Sequence, residues 1–184
     1  YHLAKKGWSD CVLLEKNELT AGSTWHAAGN VPTFSTSWAI MNMQRYSTEL
    51  YARLGEEVDY PMNYHQSGSI RLAHTKERMQ EFERACSMGR YQGIEMEMWT
   101  PEEAKERYPF LETHDLAGVL WDPSDGDIDP AQVTQALAKG ARQRGAKIIE
   151  RTRASGVTRD GKRITGVNWE QGEESGHIIC DMVV

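Results

Sequence analysis

The sequence predicts an α/β fold: a βαβ-type domain interrupted by an antiparallel, strand-rich section. Three observations predict it. Near the start, a helix end, a glycine and a short apolar run closing on an acid succeed one another between Leu3 and Glu15. In the middle, short segments alternate apolar and polar residues with period two. After Asp129 a helix pattern leads into a short strand and then a β-meander. Helix and strand alternating around an inserted β section is the layout of a doubly wound sheet carrying a second domain.

The elements can be read in order. Tyr1 to Lys6 reads as the last turns of a helix, stopped by Gly7. Cys11-Val12-Leu13-Leu14-Glu15 suits a parallel strand buried on both faces. A small-residue loop, Thr20 to Gly29, comes next. Met43, Tyr46, Leu50 and Leu54 place an apolar face on a helix over 37–54. Ser69 to Ala73 is a strand, and Thr75 caps a helix carrying Met79, Phe82 and Cys86 that Gly93 ends. Ile94, Met96 and Met98 alternate with Glu95 and Glu97 as a strand. Thr100-Pro101-Glu102-Glu103 is a helix start with a cap, an N1 proline and an acid at N3. Ala117 to Trp121 is a strand, and Asp129-Pro130 opens a helix with Val133, Ala136, Leu137 and Ala141 on its apolar face. Lys147 to Ile149 is a short strand. Asp160-Gly161 turns into a strand over Arg163 to Trp169, and Gly172 to Gly176 turns into a final strand over 177–184. The missing initiator Met and the terminal strand predict a piece of a longer chain. There is no internal repeat.

Composition narrows the function classes. The 184 residues carry 21 Lys and Arg against 27 Asp and Glu, a net charge of -6, which argues against nucleic acid as a partner. No apolar run approaches the roughly 20 residues of a membrane helix. No signal segment is visible, and Cys11, Cys86 and Cys180 are scattered without a disulfide framework.

Two residues stand out for chemistry. Glu15 ends its strand where, in dinucleotide-binding folds, an acid accepts ribose hydroxyls about 20 residues beyond a glycine fingerprint. That fingerprint would precede Tyr1; an ordinary acid at a strand end is the plain reading. His26 lies among small residues, where backbone can approach a flat ligand. It suits a nucleophile toward a cofactor, a proton carrier, a metal ligand or a hydrogen-bonded loop histidine. Metal binding is disfavoured, because the six histidines show no ligand spacing and no Cys-x-x-Cys occurs. The acid-rich run Asp122 to Asp129 misses the calcium-loop pattern: Gly126 is fifth rather than sixth, and no Glu closes it. It reads as a turn plus a helix cap. Tryptophans on predicted strands are expected to fill a sheet–sheet or sheet–ligand contact.

The run Leu13 to Lys16, then Glu18-Leu19-Thr20-Ala21-Gly22-Ser23-Thr24-Trp25-His26-Ala27-Ala28-Gly29, closely resembles the dimethylglycine and sarcosine dehydrogenases. These are flavoproteins of the D-amino-acid-oxidase-like superfamily. The similarity continues through Gly68 to Ala73, Asp125 to Pro130, Ala136 to Arg142 and the closing strand, covering essentially the whole chain. The Trp-His-Ala-Ala-Gly segment is its most specific part.

The resemblance implies a Rossmann-like FAD-binding domain, incomplete here, over 1–62 and 123–184, with part of a substrate domain over 63–122. It implies FAD bound covalently through His26. It also implies contacts from Glu15, Lys16, Gly22, Ser23, Thr24, Ala28 and Gly29, with adenine near Ala154. It implies oxidation of a secondary or tertiary N-methyl amine or amino acid by hydride transfer to flavin N5. In the same way it implies an electron-transfer flavoprotein as acceptor, a tetrahydrofolate-binding C-terminal domain, and a bacterial cytoplasmic or mitochondrial matrix location. An oxygen-using oxidase and a non-catalytic regulatory or folate-handling relative are the alternatives; relatives of that second kind tend to lose the motif histidine. Simpler relatives carry an Arg shortly after the loop, whereas here the segment is Asn30 to Phe34 without one. No catalytic acid or base is therefore assigned.

Overall fold

The computed structural model describes residues 1–184. In chain order the first elements are α1 (His2–Lys5), β1 (Val12–Leu14), a 3-10 helix (Ser23–His26), β2 (Asn30–Val31), α2 (Trp38–Val58) and β3 (Tyr64–His65). Next come β4 (Ser69–Ala73), α3 (Lys76–Tyr91), β5 (Glu97–Trp99), α4 (Pro101–Arg107), β6 (Gly118–Asp122) and β7 (Gly126–Ile128). The last are α5 (Pro130–Gln143), β8 (Lys147–Ile149), β9 (Arg153–Asp160), β10 (Arg163–Gln171) and β11 (Glu174–Ile179). The α/β class stands, with one parallel pair and three antiparallel sheets.

The chain divides into two compact units. The first holds Tyr1–Ala27, Leu54–Pro61 and Pro130–Val184; the second holds Ala28–Arg53 and Met62–Asp129. The cuts expected at 62 and 123 fall elsewhere, and main-chain pairing is the reason. Both β2 and β3 pair antiparallel with β7, so the segment after Ala27 and the one before Pro130 belong together.

In the first unit β1 pairs in parallel with β8, Leu13 opposite Ile148. β9, β10 and β11 form the expected antiparallel meander. α5 buries Ala136, Ala138 and Ala141, so its core face is made of small residues. One carboxylate gathers three elements. Glu57, near the end of α2, accepts from the Tyr1 hydroxyl (2.6 Å), Lys5 Nζ of α1 (2.9 Å) and Arg144 just past α5 (2.7 Å). The Tyr1 hydroxyl first, then the Lys5 ammonium, hold the Glu57 carboxyl below its ordinary range.

The second unit is built on the antiparallel order β4-β6-β5. One cluster, including Phe82, Ala85 and Cys86 of α3, packs with Ala73 and Leu120 of the sheet. Thr75 caps α3 by accepting from Arg78 N. A second cluster joins Trp99 and Val119 to Ala104 of α4, which the Thr100–Glu103 capping box starts. Trp99 and Trp121 stack at 4.9 Å in this cluster. They fill a sheet–helix contact, where a sheet–sheet or sheet–ligand contact was expected.

Asp125 is the polar centre of this unit. It is 3% exposed, and its carboxylate accepts from Thr33 N (2.6 Å) and Ser69 Oγ (2.6 Å), with Arg71 at 3.6 Å. Its carbonyl accepts from Gly68 N. The acid-rich run is therefore more than a turn and a cap: it contains β7 and a buried carboxylate. Asp122 nearby is 1% exposed, and burial first, then the Asp125 charge, push its carboxyl up, against hydrogen bonds from Ser124.

Four other expectations are corrected. β1 is not buried on both faces: Val12 is 39% and Leu13 47% exposed, in a sheet of two strands that is not covered on both sides. α2 buries Met41, Leu50, Leu54 and Val58, whereas Met43 and Tyr46 are exposed; the helix runs a turn past Leu54. Ile94 and Met96 are buried as alternation requires, yet the ladder with β6 begins only at Glu97. The last strand is Glu174–Ile179 rather than 177–184: its ladder with β10 ends at the Ile179–Gly166 pair, with one further bond from Cys180 N to Thr165 O.

This packing can be tested at two positions. Gly68 has φ +72, and a Cβ there would fall within the Trp121 ring, already stacked on Trp99. Gly68→Ala should cost about 2–4 kcal/mol in urea unfolding; an unchanged midpoint would contradict this packing. For Glu57 the sign is that of a depressed carboxylate. Its stabilisation is present above the unfolded value, about 4.3, and is lost as pH falls through the lower folded value. In thermal melts the deficit of Glu57→Gln relative to the parent should be full at pH 6–7 and shrink toward pH 3. A deficit constant with pH would rule the carboxylate out.

Candidate functional site

The candidate residues sit where β1 ends. The parallel ladder continues one step beyond the strand, with Glu15 N donating to Ile149 O at 2.9 Å. The chain leaving β8 then returns the contact. Thr152 N donates to Glu15 O (2.8 Å), and Arg151 N donates to Asn17 O (2.7 Å). Thr152 is 2% exposed, and its hydroxyl donates to Glu150 O at 3.1 Å. Two side-chain links complete the attachment: Leu19 N donates to Glu150 Oε1 (2.8 Å), and Arg151 pairs with Glu18. The Glu18 carboxylate raises the Arg151 guanidinium further above its ordinary range.

The side chain of Glu15 is partly buried, and its Oε1 accepts from Asn17 N at 2.8 Å. This bond holds the carboxylate over its own turn. Lys16 beside it is exposed.

Past Leu19 the backbone turns sharply. Thr20 has φ +80, a left-handed conformation that a β-branched residue rarely adopts. Its carbonyl accepts from Trp25 N at 3.1 Å, closing the loop onto the 3-10 helix Ser23–His26. That helix lies against α5. Gly22 and Ser23 are exposed, Thr24 is half-buried, and a Cβ at Gly22 would meet nothing within 4 Å. His26 is exposed, with Trp25 edge-on to it at 5.8 Å and itself 74% exposed.

The structure thus brings Glu15, Lys16, Gly22, Ser23, Thr24 and His26 onto one loop tied to one strand end. Ala154, exposed in β9, lies two residues beyond the Thr152 amide that binds Glu15 O. Ala28 and Gly29 belong to the second unit. There Gly29 has φ +84, and its carbonyl accepts from Ile128 N at 2.9 Å, which sets its backbone by β7. No three His, Cys, Asp or Glu side chains converge as metal ligands would.

Sequence reasoning missed Glu150 and Arg151. A signal was present: Leu14-Glu15 and Ile149-Glu150 are matching strand exits, with Leu14 opposite Ile149 in the parallel register. Nothing in the sequence announces Asp125 as a buried hub.

A protein-family model described as FAD dependent oxidoreductase (DAO) matches residues 1–184. Mitochondrial dimethylglycine dehydrogenase of Rattus norvegicus is 46% identical over 145 residues, 79% of this chain and 17% of that protein. The mitochondrial pyruvate dehydrogenase phosphatase regulatory subunit of Mus musculus is 38% identical over 173 residues, 94% of this chain and 20% of that protein. The crystal structure of L-proline dehydrogenase from P. horikoshii superposes with a TM-score of 0.89 at 29% identity, covering 98% of this chain and 46% of that one. The chain spans a fifth or less of the two curated relatives' length. Matched over its full length, the chain belongs to the FAD dependent oxidoreductase (DAO) family.

Proposed function

We propose that this chain is part of a flavoenzyme that oxidises N-methylated amines of the dimethylglycine or sarcosine type, with FAD held by the loop that leaves β1. The observation that carries the reading is the Trp25-His26 pair. The segment most specific to the resemblance stands exposed on a turn whose backbone is fixed from below. A histidine kept for packing would be covered.

The chemistry of the loop suits the cofactor. One Glu15 oxygen is committed to Asn17 N–H, which leaves the second as an acceptor for ribose hydroxyls at the C-terminal end of a parallel strand. The open backbone at Gly22 admits a flat ring at close range. Lys16, Ser23, Thr24, Ala28, Gly29 and Ala154 are the remaining contacts in this reading. FAD, when bound, supplies the electron acceptance. The chain's own part is to hold the nucleotide at Glu15 and to offer the His26 imidazole as the point of covalent attachment. The substrate class, a tetrahydrofolate-binding partner domain and an electron-transfer flavoprotein acceptor are carried over from the resemblance.

The likeness to a phosphatase regulatory subunit favours a second reading, a relative without catalysis. The histidine at position 26 weighs against it, because such relatives tend to lose that residue.

Acid denaturation separates the readings. The intact gene product should keep its yellow colour on the precipitated chain, and His26→Ala should release all of it to the supernatant. Colour retained by both proteins would refute the attachment. Anaerobic sarcosine or dimethylglycine should bleach the bound flavin; a coloured protein that neither amine bleaches would refute the substrate class.

A further inference from the structure

The loop that the functional reading assigns to FAD holds a backbone conformation that its own residues disfavour. Thr20 stands at φ +80 and Arg151 at φ +55, both outside the range that side-chain-bearing residues prefer. Such conformations persist only when their surroundings determine them. Between the two runs a short network in which Glu150 is the common member. Its Oε1 accepts from Leu19 N, the amide just before the strained Thr20. Its carbonyl accepts from the Thr152 hydroxyl and, at 3.4 Å, from Gln171 Nε2. The Glu150 backbone is therefore held, and its side chain reaches one amide of the opposite loop.

The Leu19 amide matters because the turn begins directly after it. Thr20 O closes that turn onto Trp25 N, and His26 is the next residue. On the other side of Leu19, the Glu15 carboxylate rests on Asn17 N, and Asn17 O is bound by Arg151 N. Leu19 is thus the middle of a span with Glu15 at one end and His26 at the other. The bond to Glu150 is where a side chain from the β8 exit binds the backbone of this span directly; the other side-chain link across the gap, Glu18 to Arg151, joins two exposed side chains.

We propose that Glu150 is a positioning residue for FAD: its carboxylate oxygen pins Leu19 N–H and so sets the distance between Glu15 and the Ser23–His26 turn. This rests on the reading of the loop as the FAD site. Glu150 itself touches no reacting atom. What the role requires is an acceptor oxygen at the end of a side chain of this length; negative charge is not required.

Reach and charge can be separated by substitution. Apoprotein of the intact gene product is prepared under riboflavin starvation. In a His26→Ala parent, where no tether can form, FAD is titrated in with quenching of tryptophan fluorescence as the readout, and Glu150→Gln, Glu150→Asp and Glu150→Ala are each compared with that parent. Glutamine keeps reach and acceptor without charge; aspartate keeps charge without reach. Half-saturation should stay within two-fold of the parent for Glu150→Gln. It should rise about ten-fold for Glu150→Asp and Glu150→Ala, the effect of one lost hydrogen bond. A merely structural role would lower the apoprotein melting temperature without this ordering in FAD uptake. Glu150→Ala within two-fold of the parent, or Glu150→Gln as weak as Glu150→Ala, would overturn the proposal. A parent that takes up no FAD would instead overturn the functional reading, and this proposal with it.

Discussion

The candidate site depends on main-chain pairing that outlives its strands. β1 and β8 are three residues each, and a parallel pair so short is weak. What steadies it is that the two exits do not part. Glu15 N, Thr152 N and Arg151 N all find carbonyls across the gap, and Thr152 is buried in the junction. Each such bond contributes on the order of 0.5–1.5 kcal/mol net, and the amide of buried Thr152 would cost more if left unpaired. The exits are held together because separating them gives up all three bonds at once. Glu15 has its place because its own carbonyl is one of the acceptors.

The second unit solves a similar problem with a carboxylate instead of a ladder. β2 and β3 are two residues each and could not persist on their own hydrogen bonds. Asp125 lies just before β7, which both of them pair, and its oxygens reach Thr33 and Ser69 on either side. A carboxylate 3% exposed is tolerable because its two oxygens are both bonded and Arg71 lies 3.6 Å away. Asp122 next to it lacks that supply: one of its oxygens has no partner, and burial, with the Asp125 charge behind it, pushes its carboxyl up. The two neighbouring acids thus differ in the donors that reach them.

Much of this was legible in the sequence, and what was not has physical reasons. Local signals with a mechanism read through: the Thr100–Glu103 box, the Thr75 cap, the Asp160-Gly161 turn and the exit of β1 at Glu15. Burial was harder. Apolar residues recur at helical spacing on more than one side of α2, so Met43 and Tyr46 read as core as readily as Met41 and Val58 do. Periodicity cannot choose between such stripes without a partner surface. Long-range polar pairing was invisible for a different reason. Leu19 and Glu150 are 131 residues apart, and Thr33 and Asp125 are 92 apart. No local pattern encodes either contact. The motif at 22–29 was legible through its resemblance, which names residues but not what fixes them.

The exposure of that motif separates stability from recognition. Trp25 is 74% exposed, so its indole adds little apolar burial to this fold. His26 has no hydrogen bond to its ring, only the edge of Trp25. The turn they stand on is held by backbone bonds and by Glu150, through atoms that do not depend on which side chains come after Thr24. Apart from Glu15, which in the proposed reading serves both, the two tasks fall to different residues. Those that keep the loop in shape are Glu15, Leu19, Glu150, Arg151 and Thr152. Those at the tip contribute almost nothing to holding it. In the proposed reading the aromatic and the imidazole at that tip carry recognition and no packing task, and the stretch most specific to the resemblance is accordingly among the least buried of the chain.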